Sequence, residues 1–262
     1  MNSVMIPVAG GDIFASFIGK GPMVLLLHGW ACDQRMWQPQ ITLANAGFQV
    51  VMIDRRGFGR STAPANMTLE LDDITTVLDH FGVQRAHIIG MSQGGRVALR
   101  YAHAHPDKID RLILQGAPID GFPTSPQSDE AIPIDHYKDM IAAGEHQVFV
   151  DHWSVHPLLK FDMAYCGDML RNMAMGYQGN DLLRGSVDNF SQNIFEALDT
   201  WTVPSLYLYG DHDTSWLKLV AKRFDETASH GRSQVVKDAG HFCNASQPNS
   251  FNQLVLSFLK GA

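Results

Sequence analysis

Apolar and polar positions along the chain alternate between two textures. Short, nearly unbroken apolar runs occur at 23–28 (MVLLLH), 48–54 (FQVVMID), 85–90 (RAHIIG), 110–117 (DRLILQGA), 204–210 (PSLYLYG) and 233–240 (SQVVKDAG). Runs of that length read as strands buried on both faces. Between them, residues 34–46, 69–81, 92–105, 215–228 and 247–259 repeat apolar side chains at helical spacing. At the start, SVMIPV and DIFASFI flank Ala9-Gly10-Gly11, a hairpin signal that adds two strands. The pattern predicts an α/β fold, a mostly parallel sheet of about eight strands with helices on both faces.

The alternation stops after Pro118. From 119 to 202 the chain is rich in Met, Phe, Trp, Tyr and His, with helical patches and no convincing β-run. This predicts a core formed by 1–118 and 203–262, with 119–202 as a helical cap over the sheet's C-terminal edge. Neither repeats nor low-complexity segments occur.

Composition narrows the partners. With 45% hydrophobic and 18% charged residues, the 262-residue chain has a globular rather than a disordered profile. A formal charge of −7 and the lack of Lys/Arg clusters argue against nucleic acid. The three cysteines, Cys32, Cys166 and Cys243, have no paired spacing and fit a reducing compartment. The first residues lack the charge and apolar run of a leader, and no stretch approaches the roughly 18 apolar residues of a membrane span. A cytoplasmic protein without membrane contact is expected.

The sharpest chemical signal is GMSQGG at 90–95, where an apolar run ends on Ser92 and a helical pattern begins. Glycine at 90 and 94 lets strand and helix approach around a strained corner, an elbow that holds the hydroxyl out. The helix start supplies free N–H groups and a positive dipole end to a developing oxyanion. Of Met91 and Gln93, the residue after the nucleophile is the expected donor, hence Gln93.

Serine needs a base and an orienting acid. His241 follows the last predicted strand, and Asp211 and Asp213 end the one before it. The order Ser92, Asp213, His241 is that of a strand-end triad. A second oxyanion donor is expected after MVLLLH, where His28-Gly29-Trp30 points to the Trp30 N–H.

With these pieces together, the chain resembles the α/β-hydrolase family. LLLHGW, DRRGFGRS at 54–61, GMSQGG, GDHD at 210–213 and AGHF at 239–242 stand in that family's order. The resemblance favours Asp213 over Asp211 as the acid. DRRGFGRS is similar to the cofactor-free haloperoxidase and perhydrolase branch, and the small cap to enol-lactonases and C–C bond hydrolases. Many relatives carry Glu where this chain has Gln247, a position that serves packing. Dehalogenases and epoxide hydrolases of this fold use aspartate as nucleophile, so Ser92 argues against their chemistry.

The resulting expectation is a serine hydrolase acting on a small, largely apolar ester or lactone, with no metal or organic cofactor. A C–C hydrolase or enol-lactonase of aromatic catabolism would need a cation for an acidic substrate, with Arg171, Arg184 and Lys160 as candidates. A ligand receptor that has lost turnover is the reading from a different class. Met140, Met163, Met169, Met173 and Met175 suit an acyl pocket or simple packing. His152 and His156 have zinc-pair spacing without a third ligand. Cys243 lacks an elbow.

Overall fold

The computed structural model describes residues 1–261. Eight strands form one sheet: β1 (Asn2–Val8), β2 (Gly11–Ile18), β3 (Met23–Leu27), β4 (Gln49–Asp54), β5 (Ala86–Met91), β6 (Ile109–Gln115), β7 (Ser205–Gly210) and β8 (Gly231–Val236). Their order across the sheet is β1-β2-β4-β3-β5-β6-β7-β8. The β1–β2 hairpin and the β2–β4 pair are antiparallel, and every other pair is parallel.

Strand residues alternate between two cores. Val24 and Leu26 of β3, with Ile89 and Met91 of β5, face a cluster containing Met36, Trp37, Phe251 and Val255. Leu25, Leu27 and Ile88 face the other, built with α1 (Glu70–His80), α2 (Gln93–Ala104) and α9 (Ser215–Thr227). Burial on both faces explains why these runs are continuously apolar rather than alternating.

One expected helix differs in kind. Gln34–Ala46 is a run of 3-10 turns, with Pro39 inside it. Proline supplies no N–H to an α-helical ladder and crowds the preceding turn, so the segment winds more tightly.

Between β6 and β7 lie six α-helices: α3 (Ile134–Ala142), α4 (His146–Ser154), α5 (Pro157–Lys160), α6 (Met163–Gly176), α7 (Asn180–Leu183) and α8 (Ile194–Ala197). Tyr137, Phe149, Trp153 and Met173 join the core that holds Trp30 and Met91. Ile194, Leu198 and Trp201 instead pack on the opposite face, against α2 and α9 (Ser215–Thr227). The chain ends in α10 (Cys243–Ser246) and α11 (Pro248–Leu259). No helix among the described residues is long and apolar enough to cross a membrane.

Because β3, β5, β6, β7 and β8 run parallel, their following loops all emerge at one edge of the sheet. Open α/β sheets bind ligands at that edge.

Candidate active site

Ser92 follows the last residue of β5 and precedes the first of α2. Its backbone is at φ 51°, ψ −119°, a left-handed φ that a non-glycine residue adopts at a cost of order 1–3 kcal/mol. The surroundings fix it there. Ser92 N–H donates to Gln115 O at 2.8 Å, and Ser92 O accepts from Arg96 N–H at 2.9 Å. A Cβ at Gly90 would lie 2.5 Å from Gly94 O, and one at Gly94 only 2.3 Å from His28 O. The two glycines thus let β5, α2 and the end of β3 meet with backbone against backbone.

His241 sits in the loop between β8 and α10, and Asp213 in the turn between β7 and α9. His241 Nδ1 donates to Asp213 Oδ2 at 3.1 Å, and both side chains are buried. Asp213 Oδ1 also accepts from Thr214 N–H at 2.7 Å. Asp211, the other candidate acid, is near the surface and takes the Ala239 N–H instead. His241 Nε2 is buried without a hydrogen-bond partner. No hydrogen bond therefore joins it to Ser92, although both line one cavity. Contacts between a base and its nucleophile commonly tighten only around bound substrate.

Three supports of this histidine left no motif in the sequence. Gly116, just after β6, has φ +51°, and a Cβ there would lie 2.7 Å from His241 Nδ1 and 3.1 Å from Asp213 Oδ2. Gln115 Nε2 donates to His241 O at 2.9 Å. Asp162, at the start of α6, accepts from Gly240 N–H at 2.9 Å and Phe242 N–H at 2.8 Å. Burial raises its carboxyl above the ordinary range, opposed by those N–H donors, the Ser246 side chain and the nearby imidazole.

The turn after β3 lies against the elbow: a Cβ on Gly29 would be 3.4 Å from Ser92 Cβ. Trp30 lines the cavity, and its backbone N–H has no acceptor among the described residues. Gln93 opens α2, so its N–H has no intrahelical acceptor either. Its side chain is turned to Arg55, whose Nη1 donates to Gln93 Oε1 at 3.0 Å and His28 O at 3.1 Å. The same guanidinium makes a buried two-point contact with Glu70. Arg56 does likewise with Asp73. Adjacent arginines answered by acids three apart on the first turn of α1 were a legible but unread signal. His28 donates from Nδ1 to Gly29 O and accepts Arg55 N–H at Nε2. Burial, with Arg55 nearby, lowers it to about 3, so it stays neutral.

The Trp30 indole is held from the helical segment inserted between β6 and β7. Nε1 donates to Asp181 Oδ2 at 2.9 Å, and Tyr177 O–H donates to the other oxygen. Tyr137 stacks on the ring, while Phe149, Trp153 and Tyr177 meet it edge-on.

From the insertion, Ile132, Trp153 and Leu158 line the cavity at Ser92, which offers only about 10 Å³. That is room for one water. Among the described residues, no Asp, Glu, Lys or Arg lines it. Arg171 instead pairs with Asp151 at the surface. Arg184 lines a separate 480 Å³ cavity beside Arg56, and Lys160 a 600 Å³ groove beside Phe161. None of the five methionines of the insertion lines the serine cavity. Met140 and Met173 are core, and Met175 is exposed.

His152 and His156 do not form a metal pair. His152 Nδ1 meets the Tyr137 hydroxyl, while His156 accepts Leu158 N–H and donates to Ala131 O. Asp211, His212 and Asp238 could bring three ligand atoms within 4.8 Å of one another, on the outer rim. Burial pushes the Cys243 thiol well up, which keeps it protonated and unreactive.

The alpha/beta hydrolase fold family matches residues 22–247. The carboxylesterase YbfK of Bacillus subtilis is 26% identical over 95% of this chain and 84% of its own length. The 3-oxoadipate enol-lactonase 1 of Acinetobacter baylyi is 24% identical over 99% and 98%. Among solved structures, an esterase from Exiguobacterium antarcticum superposes with a TM-score of 0.80, at 23% identity, over 99% of this chain and all of its own.

Proposed function

The chain belongs to the α/β-hydrolase family, and on that footing we propose that it is a serine hydrolase cleaving small, neutral, largely apolar esters or lactones. One observation carries the reading. A buried His241–Asp213 pair leaves Nε2 without a partner on the cavity that also holds the strained Ser92. An imidazole oriented by a carboxylate, with its other nitrogen free, is the base a serine requires.

In this reading Ser92 Oγ attacks the carbonyl as its proton passes to His241 Nε2. Asp213 holds the Nδ1–H tautomer and stabilises the imidazolium. The N–H groups of Trp30 and Gln93 take the oxyanion, each donor typically worth on the order of 100- to 1000-fold in rate. The alcohol leaves with the proton from His241, and water activated by the same nitrogen then hydrolyses the acyl-enzyme. Residues 119–202 act as the cap, and the part carrying Ile132, Trp153 and Leu158 must move for substrate to enter.

The uncharged lining favours neutral substrates over the acidic ones of the C–C hydrolase and enol-lactonase reading. Turnover of short p-nitrophenyl esters, compared with hemiesters bearing a free carboxylate, tests both parts. Ser92→Ala should lower turnover by at least about 1000-fold, and the wild type should prefer the neutral series. Full turnover in Ser92→Ala would overturn the mechanism, and a preference for hemiesters would overturn the substrate class. Neither turnover nor reaction at Ser92 would leave the receptor reading.

A further inference from the structure

Asp162 lies on the insertion, yet both of its carboxylate oxygens are spent on the loop that carries His241. Oδ1 takes the N–H of residue 240 at 2.9 Å, and Oδ2 that of residue 242 at 2.8 Å. The two bonds bracket the histidine. The residue is fully buried, and no Lys or Arg pairs with it among the described residues. Leaving a carboxylate buried without a cation is unfavourable unless hydrogen bonds to it are well made. If the insertion only needed to pack on the core, an apolar side chain at 162 would serve better. The fit is also close on the other side, since a Cβ at Gly240 would stand 2.5 Å from Asp162 Oδ2.

We propose that Asp162 is a positioning residue for His241. Its clamp on the flanking N–H groups holds the loop where the imidazole reaches Asp213 and faces Ser92. Seating the insertion and assembling the base are then one event. A cap displaced far enough to pull Asp162 from the loop leaves His241 free to swing, so turnover is confined to the seated form. This rests on the serine-hydrolase reading and adds to it a residue outside the triad.

Measure kcat and KM on a short p-nitrophenyl ester, the rate of labelling by a fluorophosphonate, and Tm, for wild type, D162N, G240A and S92A. Asn keeps the shape but must turn an NH2 group toward one of the two N–H donors. G240A keeps every charge and forces the clamp apart sterically. Displacing a reacting group by about 1 Å can lower rate about 100-fold. In folded D162N and G240A, kcat and the labelling rate should both fall at least about tenfold, with KM within about twofold.

Unchanged kcat and labelling in folded D162N would overturn the proposal, as would a change confined to KM. Should D162N not fold, G240A decides by the same criteria. S92A separates the two readings: turnover surviving in S92A removes the hydrolase mechanism itself. Turnover lost in S92A but intact in D162N removes only the role of Asp162.

Discussion

Ser92 and His241 face the same cavity but are held by opposite strategies. The serine is fixed almost wholly by backbone, through Gly90, Gly94 and hydrogen bonds to Gln115 and Arg96. The histidine hangs on side chains from distant segments: Asp213, Gln115 and, from the insertion, Asp162. A backbone device of this sort is rigid whatever the insertion does, whereas the histidine depends on partners that can leave. On the proposed mechanism, Ser92 is then preformed as the nucleophile, and control over activity would act through His241.

Three changes break or sharpen that contrast. The largest effect is expected from Gly94→Ala, whose new Cβ would stand 2.3 Å from His28 O and 2.5 Å from Leu27 O. Backbone cannot yield as a side chain can, so stability should fall by about 3 kcal/mol, seen in urea unfolding. On the histidine side, Gly116→Ala places a methyl 2.7 Å from His241 Cε1 and Nδ1, at a φ of +51°. There kcat should drop about 10- to 100-fold with a smaller change in KM, because the imidazole rather than the fold is displaced.

The smallest effect is a pH dependence seated on the serine side. His28 is held at about 3 in the folded chain against an ordinary 6.5, by burial above all. Between those values the unfolded chain binds a proton that the native state refuses. Its contribution is complete above pH 6.5 and is lost as pH falls from there toward 3. His28 alone should lower stability in urea unfolding by about 2 kcal/mol from pH 7 to pH 5, while the buried carboxyls of Asp54, Glu70, Asp73 and Asp162, raised by burial, act in the opposite direction. His87 and His156, lowered by burial as well, act in the same direction as His28. The loss from pH 7 to pH 5 should be about 2 kcal/mol smaller in His28→Gln than in the wild type, and an equal loss in the two chains would mean that His28 protonates in place.

This division also sets what could be read from the sequence. Continuous apolar runs gave away the strands because a sheet covered on both faces needs them, and GMSQGG was legible because the elbow is local. Asp213 and His241 were reachable only through their places after strands, their order in the chain and the family resemblance, which alone favoured Asp213 over Asp211. Asp162 was not, since nothing in FDMAY marks a carboxylate whose partners lie 78 and 80 residues away. Gly116 looked like any strand-ending glycine until the imidazole was seen beside it. The 3-10 winding of Gln34–Ala46 was missed because apolar spacing outvoted Pro39. Arg171, Arg184 and Lys160 were weighed for charge alone, which says nothing about the cavity they face.

The central claim is that the Ser92 hydroxyl is the nucleophile and that His241 activates it. Peptide mapping by mass spectrometry after brief fluorophosphonate treatment tests it most directly, run on wild type and on His241→Ala. The adduct should fall on the peptide carrying Ser92 in the wild type and be nearly absent when residue 241 is alanine. An adduct on any other residue, or equal labelling of Ser92 without the imidazole, would contradict it.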